Sequence, residues 1–171
     1  MSSQPVALYP DLAGQVAVVT GGSKGIGAAT CRALAANAAK VVVVARSREP
    51  IDELVDELRA SGAQAIGISA DCNDLAELER VRRDVESEFG PVDLLVPFAG
   101  GFERFTPVAE MTIEEWREVI DANLTSTFIA VKTFMPHISR DGKVRWSRCH
   151  RYRDASSIRR RRLPTQRPRR G

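Results

Sequence analysis

The segment Thr20-Gly21-Gly22-Ser23-Lys24-Gly25-Ile26-Gly27 constrains the fold of this chain more than any other. Before it stands Val16-Ala17-Val18-Val19-Thr20, a β-branched run suited to a strand buried on both faces. After it, Ile26, Ala29, Leu34 and their small neighbours read as a helix reaching about Ala38. Glycines at a strand-to-helix turn let the backbone bend tightly and approach a pyrophosphate, whose charge then lies at the helix N-terminus. A lone glycine-rich turn says little; the strand–turn–helix setting is what a dinucleotide site requires.

The same alternation continues. Lys40 to Ala45, with four consecutive valines, predicts a second buried strand. Pro50 is expected to open a helix, since its missing N–H costs nothing there. Ile51, Leu54, Val55 and Leu58 form the apolar face, and Gly62 ends it. Ala65 to Ala70 reads as a third strand. Asn73 or Asp74 caps the next helix, whose Leu75, Leu78, Val81, Val85 and Phe89 face inward until Gly90-Pro91 stops it. Val92 to Val96 is a fourth strand. Thr112 with Glu115 forms a capping-box pattern opening a long helix from Ile113 to about Ile138. Strands separated by crossover helices predict a doubly wound parallel sheet of the α/β class, Rossmann-like but incomplete, with about four strands.

Charge divides the chain in two. Residues 1–144 hold 14 Lys and Arg against 21 Asp and Glu, a net of −7, whereas residues 145–171 hold 11 Arg against Asp154 alone, a net of +10. The expected organisation is a dinucleotide-binding domain over residues 1–142. A basic tail over 143–171, without apolar periodicity, is expected to be disordered. Cys31, Cys72 and Cys149 lie far apart with no C-x-x-C spacing, and His137 and His150 have no partner spacing. This argues against a metal site or disulfide framework and for a reducing, cytoplasmic setting. No run approaches the ~18 apolar residues needed to span a membrane, and no signal peptide is readable at the N-terminus.

The turn T-G-G-S-K-G-I-G resembles the T-G-x-x-x-G-x-G signature of the short-chain dehydrogenases/reductases, and the resemblance covers about residues 12–142. It implies cofactor contacts from Gly21, Ser23, Lys24, Gly25, Ile26 and Gly27. Asp71, after the third strand, matches the family's adenine-contacting aspartate, with Cys72 beside it. Ala99-Gly100, after the fourth strand, matches the end of its N-N-A-G motif. Asn123, in the long helix, matches the asparagine that helps hold a catalytic water chain. Pro97-Phe98 departs from the family's Asn-Asn, whose side chains tie neighbouring strands together. Relatives commonly pair through the long helix; the helix that completes that pairing has no counterpart here, which puts a homo-oligomer in doubt.

Charge argues for the cofactor. Dehydrogenases that prefer NAD usually end the second strand with an acid that binds the ribose hydroxyls. Here that strand ends Val44-Ala45-Arg46, with no acid before Glu49, and Lys24 lies in the glycine turn. Two cations and no carboxylate favour the 2′-phosphate of NADP(H) over NAD(H), with Arg46 able to bind it bidentately.

By resemblance the reaction is hydride transfer between NADP(H) and a small alcohol or carbonyl substrate. A serine and a Tyr-x-x-x-Lys pair carry it, the lysine lowering the tyrosine pKa. This sequence has only Tyr9 and Tyr152, followed four residues later by Ala13 and Ser156. No catalytic serine, tyrosine or lysine can be assigned, so the chain is expected to be inactive as written. One base out of frame, codons for Val144 to Arg153 permit A-M-V-T-V-S-S-V-S-G, a strand ending in paired serines. Those for Pro164 to Gly171 permit Y-A-A-A-K-A-G. A frameshift near 142–144 is therefore the expected origin of the arginine-rich segment.

The expected physical result is an exposed fourth-strand edge and a long helix lacking partners, with Phe128, Val131, Phe134 and Met135 uncovered and solubility poor. Phe102, Phe105 and Trp116 are candidates for an apolar pocket. The competing reading is a nucleotide-binding module with an arginine-rich arm for nucleic acid. Trp146 and Tyr152, its only aromatics, offer little for base stacking.

Overall fold

A computed structural model describes residues 8–101 and 106–138. The expectations placed on Phe102, Phe105 and the segment from 139 onward, including Cys149, His150 and Tyr152, lie outside the described residues.

The four strands are β1 (Val16–Thr20), β2 (Lys40–Ala45), β3 (Ala65–Ser69) and β4 (Leu94–Pro97), all parallel in the order β3-β2-β1-β4. Joining them are α1 (Gly25–Ala36), α2 (Arg48–Ala60) and α3 (Leu75–Phe89). After β4 come α4 (Ile113–Ile120), a π-helical turn (Asp121–Thr125) and α5 (Ser126–Phe134). The first three strands step outward from β1; α3 then carries the chain back across the sheet, and β4 joins β1 on its other side. That reversal opens a crevice between β1 and β4 at the strands' C-terminal ends, where open α/β sheets bind ligands.

Burial on both faces explains the unbroken apolar runs. Every residue of β1 and all four valines of β2 are buried. On one face Ala17, Val19, Val41 and Val43 pack against Leu34 of α1 and Ile51, Leu54, Val55 and Leu58 of α2. On the other, Val16, Val18, Val42 and Val44 meet Leu78, Val81 and Val85 of α3 and Phe134 of α5.

Several boundaries move from expectation. α1 ends at Ala36 rather than Ala38, because Asn37 leaves helical geometry and Ala38 sits at φ +57°. α2 begins at Arg48, placing Pro50 in the third helical position, where an N–H is still not required. Asp74, not Asn73, caps α3 by accepting from the Ala76 and Glu77 amides. The Thr112–Glu115 capping box forms in both directions. The long helix is interrupted by the π turn and ends at Phe134, followed by a short 3₁₀ turn through His137.

β4 lies at an edge of the sheet, as expected, and Phe128 is exposed. The expectation for the rest of its helix is corrected. Phe134 is fully buried between α5 and the sheet, and Val131 and Met135 are half-buried, because α5 packs on α3 and β4. No helix among the described residues is long and apolar enough to cross a membrane.

Phe134→Ala removes the largest fully buried side chain among the described residues. It should lower unfolding free energy by about 3–5 kcal/mol, read from the midpoint of a urea titration.

Candidate functional site

The crevice is a cavity of about 1020 Å³. Gly21, Ser23 and Lys24 from the turn after β1 form one wall, Arg46 and Ser47 after β2 a corner, and Asp71 and Cys72 after β3 the next stretch. Ala99 and Gly100 after β4 and Val119, Ala122 and Ser126 from the last helical run complete it.

The glycines are there because atoms leave no alternative. Gly21 sits at φ +67°, and a Cβ on it would fall 2.5 Å from the Phe98 carbonyl oxygen. A Cβ on Gly27 would lie 2.1 Å from the Gly21 carbonyl oxygen, so α1 starts directly on the turn. Lys24, at the N-cap of α1, provides no side-chain capping bond. The first-turn amides thus carry the partial positive charge that suits a phosphate.

β4 is tied to this turn without the family's asparagines. Pro97 stands opposite Thr20 in register but has no N–H to give. The Phe98 N–H donates to the Thr20 carbonyl instead (3.0 Å), and the Ala99 N–H donates to Thr20 Oγ1 (3.2 Å). Thr20 is fully buried, so both bonds are formed away from water. Burial pushes the Cys72 thiol up to about 11; nearby Asp71 adds to the rise, and a hydrogen bond with Thr20 opposes it. Cys31, beneath the turn, is pushed up to about 12, first by burial. Both stay neutral thiols near neutral pH and are poor nucleophiles.

From the other side the helix clamps the loop. Asn123 Oδ1 accepts from the Gly101 N–H (3.2 Å), and its Nδ2 donates to the Gly101 and Val119 carbonyls (2.9 Å each). Buried Ser126, three residues on, donates its hydroxyl to the Ala122 carbonyl (2.7 Å) and lies 3.3 Å from the Ala99 carbonyl. Ala99 to Gly101 are therefore held from β1 by Thr20 and from the helix by Asn123, with Ser126 packed beside the Ala99 carbonyl.

Gly21, Ser23, Lys24, Arg46, Asp71, Cys72, Ala99 and Gly100 are brought together on the cavity wall. Gly25, Ile26 and Gly27 are not on it: Gly27 is buried against the turn, and Ile26 projects into solvent at 76% exposure. Asn123 acts on the wall through Gly101. Trp116 is exposed and does not line the cavity. Sequence reasoning missed Ser126; its three-residue spacing from Asn123, which puts both on one helix face, was the available signal. Among the described residues no three His, Cys, Asp or Glu are grouped to hold a metal.

Thr20→Val keeps the shape but leaves the Ala99 amide without its acceptor. It should cost about 1–3 kcal/mol in stability, with Thr20→Ser recovering most of it in the same denaturant titration. The raised thiols give a second expectation. Their folded values exceed the ordinary 9.0, so their contribution is complete below pH 9 and is lost as pH rises toward 11 to 12. Unfolding free energy measured from pH 8 to 11 should decline, and less steeply in a Cys31→Ala variant.

The short chain dehydrogenase family profile matches residues 15–145. A 3-oxoacyl-[acyl-carrier-protein] reductase from Synechocystis sp. is 42% identical over 122 residues, covering 71% of this chain and 49% of that protein. An uncharacterized oxidoreductase from Methylorubrum extorquens is 37% identical over 134 residues, covering 78% and 54%. A crystal structure of an actinorhodin polyketide ketoreductase with NADPH superposes with TM-score 0.67 at 34% identity, over 75% of this chain and 48% of that one. This chain thus spans about half the length of the relatives it matches. With the glycine turn, the parallel sheet and the profile in agreement over the same residues, the chain belongs to the short-chain dehydrogenase family.

Proposed function

We propose that residues 1–142 are the cofactor-holding part of a reductase that uses NADP(H) to interconvert a carbonyl and an alcohol. The observation that carries the cofactor choice is the corner after β2. Arg46 and Ser47 line the cavity there, Lys24 lines the same cavity, and the first acid after the strand, Glu49, lies on α2 outside the cavity wall. Guanidinium, ammonium and hydroxyl groups recognise a 2′-phosphate, whereas a ribose diol is best met by a carboxylate. The similar ketoreductase crystallised with NADPH supports the same choice.

The residues present fit such a group. Gly21 and Gly27 let the turn pack directly against the Phe98 and Gly21 carbonyls, and the unpaired amides at the α1 N-terminus would hold the pyrophosphate. Asp71 and Cys72 would border the adenine end, and Ala99-Gly100 the nicotinamide end. When bound, the nicotinamide supplies or accepts the hydride. The chain's own part would be to position the ring through the Thr20 and Asn123 ties on the Ala99–Gly101 loop. Proton transfer to the substrate oxygen needs a tyrosine–lysine pair, and neither tyrosine of this sequence has a lysine four residues later. The proposal is therefore cofactor binding without turnover.

Titrating the chain with NADPH and NADH and following nicotinamide fluorescence tests this. NADPH should bind more tightly. Arg46→Glu should cut NADPH affinity by about 10–100-fold and leave NADH affinity little changed. Equal loss for both cofactors would overturn the assignment of Arg46 to the 2′-phosphate.

A further inference from the structure

Arg59 of α2 and Arg80 of α3 make contacts that the cofactor site does not need. β3 is the outer strand on its side of the sheet. The Val41 N–H donates to the Gln64 carbonyl and the Ala70 N–H to the Ala45 carbonyl, so residues 64, 66, 68 and 70 direct their backbone groups at β2. The backbone groups of Ala65, Gly67 and Ser69 consequently face outward. Such a row is a template for pairing with another strand.

Both ends of the row are already occupied. Arg59 Nε donates to the Ala65 carbonyl at 2.8 Å, and Arg80 Nη2 donates to the Ser69 carbonyl at 3.0 Å. The helices that carry them pack on opposite faces of the sheet, so the guanidiniums come around the edge from both sides. Arg80 is steadied by Asp84, 3.2 Å from its other terminal nitrogen. The middle of the row cannot guard itself, since a Cβ on Gly67 would fall 2.2 Å from Ile51 Cγ2. Protection of this edge has to come from neighbouring helices.

We infer that Arg59 and Arg80 close the β3 edge against a second copy of this chain. The pairing they exclude is antiparallel β3 to β3 about a two-fold axis at Gly67, the arrangement by which one strand edge complements itself. In that register Ala65 of one copy lies opposite Ser69 of the other, and each of those carbonyls would have to accept from the facing strand. The guanidiniums fill those positions. The same symmetry would bring Arg59 of one copy against Arg80 of the other, cation to cation.

The test is residue-resolved amide hydrogen exchange at increasing protein concentration, on the unaltered chain and on an Arg59→Ala/Arg80→Ala variant. The outward amides of Ala65, Gly67 and Ser69 report the edge, and the inward amides of Ile66 and Ile68 report whether β3 stays in the sheet. Association elsewhere on the molecule leaves these five amides unaffected. In the unaltered chain the outward amides should exchange at a rate independent of concentration. In the alanine variant they should slow by about tenfold or more as concentration rises, with the inward amides unchanged. Arg59→Lys/Arg80→Lys, which keeps donors and charge, should behave as the unaltered chain does. Outward amides that never gain protection in the alanine variant would overturn the inference. So would lost protection at Ile66 and Ile68, which would make the arginines fasteners of β3 and not guards of its edge.

Discussion

The approach of Gly27 to the Gly21 carbonyl, too close for any side-chain carbon, governs the arrangement around it. It seats α1 directly on the turn leaving β1, which fixes the start of the helix relative to the strand. Because Gly21 in turn passes under the Phe98 carbonyl, the same turn sets the distance between β1 and the chain leaving β4. Two backbone approaches, each permitted only by glycine, thus place two segments of the cavity wall and the helix between them. The valine layers of β1 and β2 supply the burial that keeps them there.

Much of this was legible beforehand, for physical reasons that differ from place to place. β1 and β2 could be read to the residue because strands buried on both faces need uninterrupted apolar runs. The turn was legible because its glycines and its position between strand and helix reinforce each other. The Asn73-Asp74 pair, and Thr112 with Glu115, announced helix starts through their capping chemistry. What could not be read was set by distant contacts. Its spacing from Asn123 puts Ser126 on the same helix face, but the Ala99 carbonyl that gives it a role is brought to it only by β4. The burial of Phe134 likewise depends on α3 arriving at the same place.

The loss of the asparagine pair shows how a parallel sheet absorbs a change at one position. Proline at 97 removes a ladder donor, yet the carbonyl of Thr20 is still served, because the next amide along the chain reaches it. The threonine hydroxyl then takes the amide after that. Backbone and side chain of one buried residue hold two consecutive peptide groups, so the join between β1 and β4 no longer relies on side chains from β4.

The π turn between α4 and α5 has a consequence for how a single rod addresses its surroundings. Trp116 and Phe134 are 18 residues apart, five whole turns of an ideal α-helix, and would point the same way on an unbroken one. Trp116 is 54% exposed and Phe134 fully buried. The wider turn delays the winding by about one residue, roughly 100°, so the two halves of the rod run out of phase. Its second half can dock on α3 and the sheet while its first half presents another side to them. Deleting one residue there would bring the halves back into step, and Phe134 could keep its place only if everything before it rotated.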